Sequence, residues 1–191
     1  RTFLNWIRDL KVMLVPSRGY SSWTFIYEAA RRILGNLYEK RGGEWVRTDR
    51  EAVILYFGDF DPSGKDIERF ISEALAYFRV PVDVKRVAVT REQIEEYELP
   101  STPEDASEVE KLMRDPRFKS WPYGLYRVEL DALLAYVPEE FQRIVVESVE
   151  EYFDEEIYND VLKRQEEARK RIKERAMKLL RERMENEGGC D

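Results

Sequence analysis

Apolar positions near the start of the chain recur at helical spacing and later switch to continuous runs, so the chain reads as alternating helix and strand. In "RTFLNWIRDL", Phe3, Leu4, Trp6, Ile7 and Leu10 predict a helix. "KVMLVP" is a short β-rich run ending at Pro16, and "SRGY" is a turn. Ser21 or Ser22 then caps a helix over 22–40, with Phe25, Ile26, Ala29, Ala30, Ile33, Leu34 and Leu37 on its inner face. "RGGEW" breaks that helix. "AVILYFG" is apolar throughout, as expected of a parallel strand covered on both faces. "SGKDIERFISEALAYF" returns to helical spacing, with Ile67, Phe70, Ile71, Leu75 and Phe78 in register, and "VDVKRVAVT" is the next strand.

This alternation predicts an α/β fold: a mostly parallel, Rossmann-like sheet flanked by helices and joined by right-handed crossovers, with a helical C-terminal extension. After Arg91 the pattern changes to a polar loop with short helices. "YRVELDALLAYV" predicts a last strand or a strand-to-helix join, and the pattern is helical from Pro138 to about Glu187. The expected divisions are 1–98 for the first domain, 99–150 for a segment completing it, and 151–191 for a charged helix. Within 163–183 there are ten Lys or Arg against four Glu, and Ala168, Ile172, Ala176 and Leu179 form a narrow apolar stripe. Such a helix could track a phosphate backbone, or pack on the domain or on a copy of itself as a homodimer. Packing is the expectation, because the whole chain carries a net charge of −7.

Composition narrows the chemistry. The chain contains no histidine and one cysteine, Cys190. That excludes, within these 191 residues, Ser-His-Asp and Cys-His catalysis, His-ligated zinc and thiolate metal sites. Carboxylates gathering a hard cation are the leading option left. A single cysteine fits a reducing, cytoplasmic location. No apolar run approaches membrane-spanning length.

The stretch "VILYFGDFDPSGKDIERF" carries the candidate chemistry. A phosphate-binding P-loop does not fit: Gly58 and Gly64 are one residue too far apart, and Asp66 stands where a hydroxyl should hold Mg²⁺. A calcium loop fails because its twelfth position, a bidentate Glu, is Phe70. A haloacid-dehalogenase-type phosphatase shares Asp-x-Asp after a strand, but Ser63 follows Pro62 where Thr or Val is usual. The remaining reading is a carboxylate pair at the end of a parallel strand. Residues at i and i+2 of an extended chain point the same way, so Asp59 and Asp61 can reach one Mg²⁺ or Mn²⁺. Open α/β sheets bind ligands outside the carboxyl ends of their strands. The structural alternative is that Asp61 caps the following helix and Asp59 is solvated.

"ILYFGDFDPSGKDI" resembles the Asp-x-Asp motif of Toprim domains, in the Asp-x-Asp-Pro-x-Gly form of the topoisomerase VI A subunit and stand-alone archaeal and phage Toprim proteins. "VPSRGYSS" resembles that family's second-strand turn, and "VAVTREQIEEYELP" its fourth strand and exit. The resemblance implies Mg²⁺-dependent cleavage or transfer at nucleic-acid phosphodiesters, with Asp59 and Asp61 as metal-binding and catalytic residues. It also implies a glutamate at the end of a first strand, which would lie before Arg1. Topoisomerase VI further needs a DNA-cleaving tyrosine on a winged-helix domain; no such domain is visible in this sequence, so the module alone is implied. Two rival readings are a Toprim-fold module that binds nucleic acid, nucleotide or protein without chemistry, and a hydrolase acting on a small phosphate ester.

Further candidates are weaker in type. Arg18, Gly19, Ser21 and Ser22 precede a helix and could contact phosphate, or form only a turn and N-cap. Lys65 could contact phosphate or be an exposed helix lysine. Glu129 and Asp131 share strand-like spacing and could supply a further acid. Trp23, Trp45, Trp121 and Tyr123 read as core or loop packing rather than base-stacking platforms.

Overall fold

The computed structural model describes residues 2–10, 12–16, 19–101 and 106–187. Arg18 and Cys190, both singled out in the sequence, lie outside the described residues. The chain divides into two compact units, Arg1–Glu151 and Tyr152–Asp191.

The first unit is α/β. Its elements are α1 (Thr2–Ile7), a 3₁₀ turn (Arg8–Leu10), α2 (Trp23–Leu37), β1 (Tyr38–Arg41), β2 (Glu44–Arg47), β3 (Val53–Phe57), α3 (Pro62–Tyr77), β4 (Asp83–Ala88), α4 (Arg91–Glu96), α5 (Ala106–Arg114), a second 3₁₀ turn (Pro116–Ser120), α6 (Leu130–Tyr136) and α7 (Pro138–Glu150). The second unit contains α8 (Glu155–Glu187).

β3 and β4 pair in parallel from Val53↔Asp83 to Phe57↔Ala88. The ladder extends one residue further, because the Gly58 amide donates to the Ala88 carbonyl at 2.7 Å and the Val89 amide to the Gly58 carbonyl at 2.8 Å. Strand alternation divides β3 between two apolar clusters. Leu55 and Phe57 pack on a cluster built from Ile7, Ala88, Val89, Ile94, Val128, Leu133, Phe141 and Val145. Ile54 packs on the opposite cluster, where Ile26 and Ala30 of α2 meet Ala74 and Leu75 of α3. The strand pair is thus sandwiched, as its continuous apolar pattern requires.

The structure departs from the sequence reading at 38–47 and at 12–16, and takes one of the two alternatives for "YRVELDALLAYV". α2 stops at Leu37 rather than Lys40, because residues 38–47 form an antiparallel hairpin. Gly42 and Gly43 sit at φ 60° and 96° in its two-residue loop, a conformation that glycine adopts without steric cost. Among the described residues the parallel sheet is two strands wide, and the hairpin forms a separate sheet. Residues 12–16 form no strand, and Val12, Met13, Leu14 and Val15 are exposed. "YRVELDALLAYV" is a strand-to-helix join: Val128 makes an isolated bridge to Phe60, and a helix starts at Leu130.

Among the described residues no helix is long and apolar enough to cross a membrane. α8 is long but strongly charged, and its Ile172, Met177, Leu179 and Leu180 are all exposed.

Candidate functional site

The chain leaves β3 at Gly58 and enters α3 at Pro62, and the three residues between are pinned one by one. Asp61 is the N-cap of α3: its Oδ1 accepts from the Gly64 amide at 2.5 Å, satisfying one of the open N–H groups of the first turn. Pro62 sits in that turn, where its missing N–H costs nothing. Gly64 is required for packing, since a Cβ there would collide with the Asp59 carbonyl oxygen. Phe60 exchanges two backbone hydrogen bonds with Val128, at 2.8 and 3.1 Å. Asp59 receives the Leu130 amide on Oδ1 at 2.8 Å. Each aspartate therefore has one oxygen held by a backbone N–H, and among the described residues neither is in an ion pair.

Beneath this turn lies Arg86 of β4. Its Nη1 donates to the Gly58, Asp59 and Val89 carbonyls at 3.1, 3.2 and 3.2 Å. Its Nε donates to Glu68 Oε2 of α3 at 2.7 Å, and the guanidinium lies 5.0 Å from the Tyr56 ring centre. The Arg86 and Glu68 side chains are only 14% and 17% exposed, so this ion pair is largely desolvated. Tyr56 in turn donates its hydroxyl to the Gly64 carbonyl at 3.1 Å, and burial raises its pKa.

Asp59 and Asp61 open into a groove of about 920 Å³. The α4 N-terminus, the second 3₁₀ turn and the loop after it also line the groove, with Arg91, Arg117, Trp121 and Tyr123. Phe60, Trp121 and Tyr123 form an aromatic cluster with ring centres 4.9–5.0 Å apart. Arg91 lies over the Tyr123 ring at 5.6 Å. At one end, Tyr20 donates its hydroxyl to Asp66 and accepts from Arg117 Nη1 at 3.0 Å. The Tyr20 hydrogen bond and the adjacent Arg69 guanidinium lower the Asp66 pKa, while the hydrogen bond to Arg117 lowers that of Asp115.

The other sequence candidates fall as follows. Lys65 lines the groove and pairs with Glu68 at 3.2 Å. Ser22 caps α2 by accepting from the Phe25 amide at 3.2 Å, and Gly19 takes a positive φ in the turn before it. Ser21 lies between that turn and the cap. Tyr20, from the same turn, is the residue whose contacts with Asp66 and Arg117 reach the groove wall. Glu129 and Asp131 are not on a strand: Glu129 is the N-cap residue of α6 and Asp131 stands in its first turn, so the i, i+2 spacing does not align their side chains. The backbone between them, at Leu130, is what reaches Asp59. Arg86, Arg91 and Arg117 were not singled out by sequence reasoning. A charged residue inside the strand run "VDVKRVAV" was the available signal for Arg86.

The residues suit a hard cation in part. Asp59 and Asp61 share the groove with Asp66, Glu68, Glu73 and Glu92, and each has a second oxygen beyond its backbone hydrogen bond; Mg²⁺ is commonly held by one or two carboxylates together with substrate phosphate. Among the described residues no group of three acids is arranged to hold a metal ion.

Compared with known proteins, the chain matches no family model, no curated protein and no solved structure.

Proposed function

We propose that the groove at the end of β3 is a Mg²⁺-dependent site for cleaving or transferring nucleic-acid phosphodiesters. The observation that carries this reading is that Asp59 and Asp61, both outside ion pairs among the described residues, share one groove at the carboxyl end of a parallel strand pair. The resemblance of residues 54–67 to the Toprim motif supplies the substrate class. When bound, the ion would neutralise charge on a phosphate and on the departing oxygen. Asp59 and Asp61 would hold it through the oxygens not taken by backbone amides. The Leu130 and Gly64 amides fix the two carboxylates, and Arg86 fixes the carbonyls of the turn that carries them. Arg91 and Arg117 line the same groove and would meet phosphate charge.

The test is cleavage of a labelled oligonucleotide with Mg²⁺ or Mn²⁺. Metal-dependent products that disappear in Asp59→Asn and Asp61→Asn are expected. Absence of products from the wild-type chain, or equal products from the variants, would overturn the catalytic reading. The lack of a third acid among the described residues favours a second reading, in which the same groove binds nucleic acid without cleaving it. In that case the wild-type chain binds oligonucleotide and yields no products.

A further inference from the structure

The aromatic wall bears on which nucleic acid the groove takes. Trp121 and Tyr123 are partly exposed, line the groove with Asp59 and Asp61, and flank Pro122 in an irregular segment held at both ends. One end is the 3₁₀ turn closed by the Trp121 amide on the Phe118 carbonyl, at 3.1 Å. The other is the Phe60–Val128 bridge. Trp121 Nε1 also donates to the Tyr126 carbonyl at 3.3 Å, which fixes the indole. Both rings are also held against Phe60 and each other.

The cations on this wall face the groove while their carboxylate partners do not line it. Arg91 pairs with Glu95 and Arg117 with Asp115, and neither acid is among the residues lining the groove. The Arg91 side chain is 60% exposed, so its pair is solvated and can be exchanged for phosphate at little cost. Flat rings with guanidinium groups beside them match an unpaired nucleotide: the base stacks, and the phosphate meets arginine. A base inside a duplex has both faces covered by its neighbours and cannot present one to Trp121 or Tyr123.

We infer that the groove is a single-strand site, with Trp121 and Tyr123 stacking one or two unpaired bases next to the phosphate addressed by Asp59 and Asp61. This rests on the reading of the groove as a nucleic-acid site. It does not require that the site cleave.

The experiment uses the full chain with a fluorescein-labelled oligo(dT), a duplex of equal length, and Ca²⁺ in place of Mg²⁺. Anisotropy should show the single strand binding more tightly than the duplex. Trp121→Ala and Tyr123→Ala should each weaken single-strand binding by about 5- to 100-fold, the loss of one stacked base. Because truncation could disturb the cluster with Phe60, a second measurement uses oligo(dT) carrying 5-iodouracil on wild-type protein. Photocrosslinks mapped by mass spectrometry to Trp121 or Tyr123 support the inference. Crosslinks confined to other residues, or a duplex bound as tightly as the single strand, overturn it. Asp59→Asn with Asp61→Asn separates the two claims. If that variant still crosslinks at Trp121 while the wild type cleaves nothing, the stacking site stands and the catalytic reading falls. If the wild type cleaves duplex with no crosslink on this wall, the catalytic reading stands and the stacking site falls.

Discussion

The Leu130 amide donates a 2.8 Å hydrogen bond to the Asp59 carboxylate across 71 residues of sequence. A carboxylate held by a backbone N–H keeps its rotamer before any ligand arrives, which reduces the ordering cost of binding. Asp61 is held likewise by its cap on α3. The pair should therefore bind Mn²⁺ weakly but measurably. Calorimetry is expected to show binding by the wild type and none by the Asp59→Asn, Asp61→Asn double variant. Asparagine still caps a helix, so the melting temperature of the Asp61→Asn single variant should change little. Equal heats from wild type and double variant would remove the metal assignment.

Gly64 tests how tightly the turn is built. A Cβ at this position collides with the Asp59 carbonyl and lies 3.2 Å from Asp61 Oδ1. Gly64→Ala should cost about 1–3 kcal/mol, the usual range for overpacking. It should also weaken Mn²⁺ binding more than a destabilising change in the opposite cluster, such as Ile26→Val. Thermal melts and calorimetry on both variants check this, and parallel losses in the two would show that Gly64 acts on stability alone.

Arg86 is the largest single liability to mutation near the site. Arg86→Met removes the buried partner of Glu68 and the Nη1 hydrogen bonds to three carbonyls, of which that of Gly58 keeps the Val89 amide. Removing one member of a buried ion pair typically costs about 3–5 kcal/mol. Denaturant unfolding should show a loss in that range. The cost should shrink markedly in Arg86→Met with Glu68→Gln, because no half-buried carboxylate then remains with only the exposed Lys65 as partner. A double variant as unstable as the single would refute this account.

The Tyr20–Asp66 contact should show in the acid limb of stability. The folded-state pKa of Asp66 lies below its ordinary 3.8, chiefly through the Tyr20 hydroxyl and then Arg69. A depressed carboxylate contributes stability above its unfolded pKa and loses it as pH falls through the folded value. The gap in melting temperature between wild type and Tyr20→Phe should be constant above about pH 5 and should close as pH drops below the ordinary aspartate range. A gap independent of pH down to the acid transition would assign the hydroxyl's contribution to its hydrogen bond from Arg117 rather than to Asp66.

The parts legible in the sequence were those written in local pattern. β3, α3 and β4 follow from an apolar run, a helical period and a second run, with Asp61, Pro62 and Gly64 marking the join. The hairpin at 38–47 was missed because Gly42–Gly43 reads equally as a helix breaker and as a tight turn. Residues 12–16 have strand composition, but strand structure needs a partner, which composition cannot specify. The site divided in the same way. The two aspartates announce themselves by spacing, whereas the Asp59–Leu130 bond and the rest of the groove lining depend on contacts between distant segments. Trp121 and Tyr123 look in sequence like any loop aromatics; the Phe60–Val128 bridge and the contacts with Phe60 bring them into the groove of the acids. α8 remains the converse case: its stripe is plain in sequence, yet Ile172 and Leu179 are 70% and 57% exposed.

The Phe60–Val128 bridge has a consequence for how such a groove diversifies. The segment from Trp121 to Arg127 ends on the main-chain bonds between Val128 and Phe60, which are indifferent to side-chain identity, and its aromatic side chains add the contacts with Phe60. Its residues can be exchanged while the acids keep their seats. Grafting a different short loop between Ser120 and Val128 is therefore a route to redirect what the groove accepts, with the strand-end chemistry left as a fixed chassis.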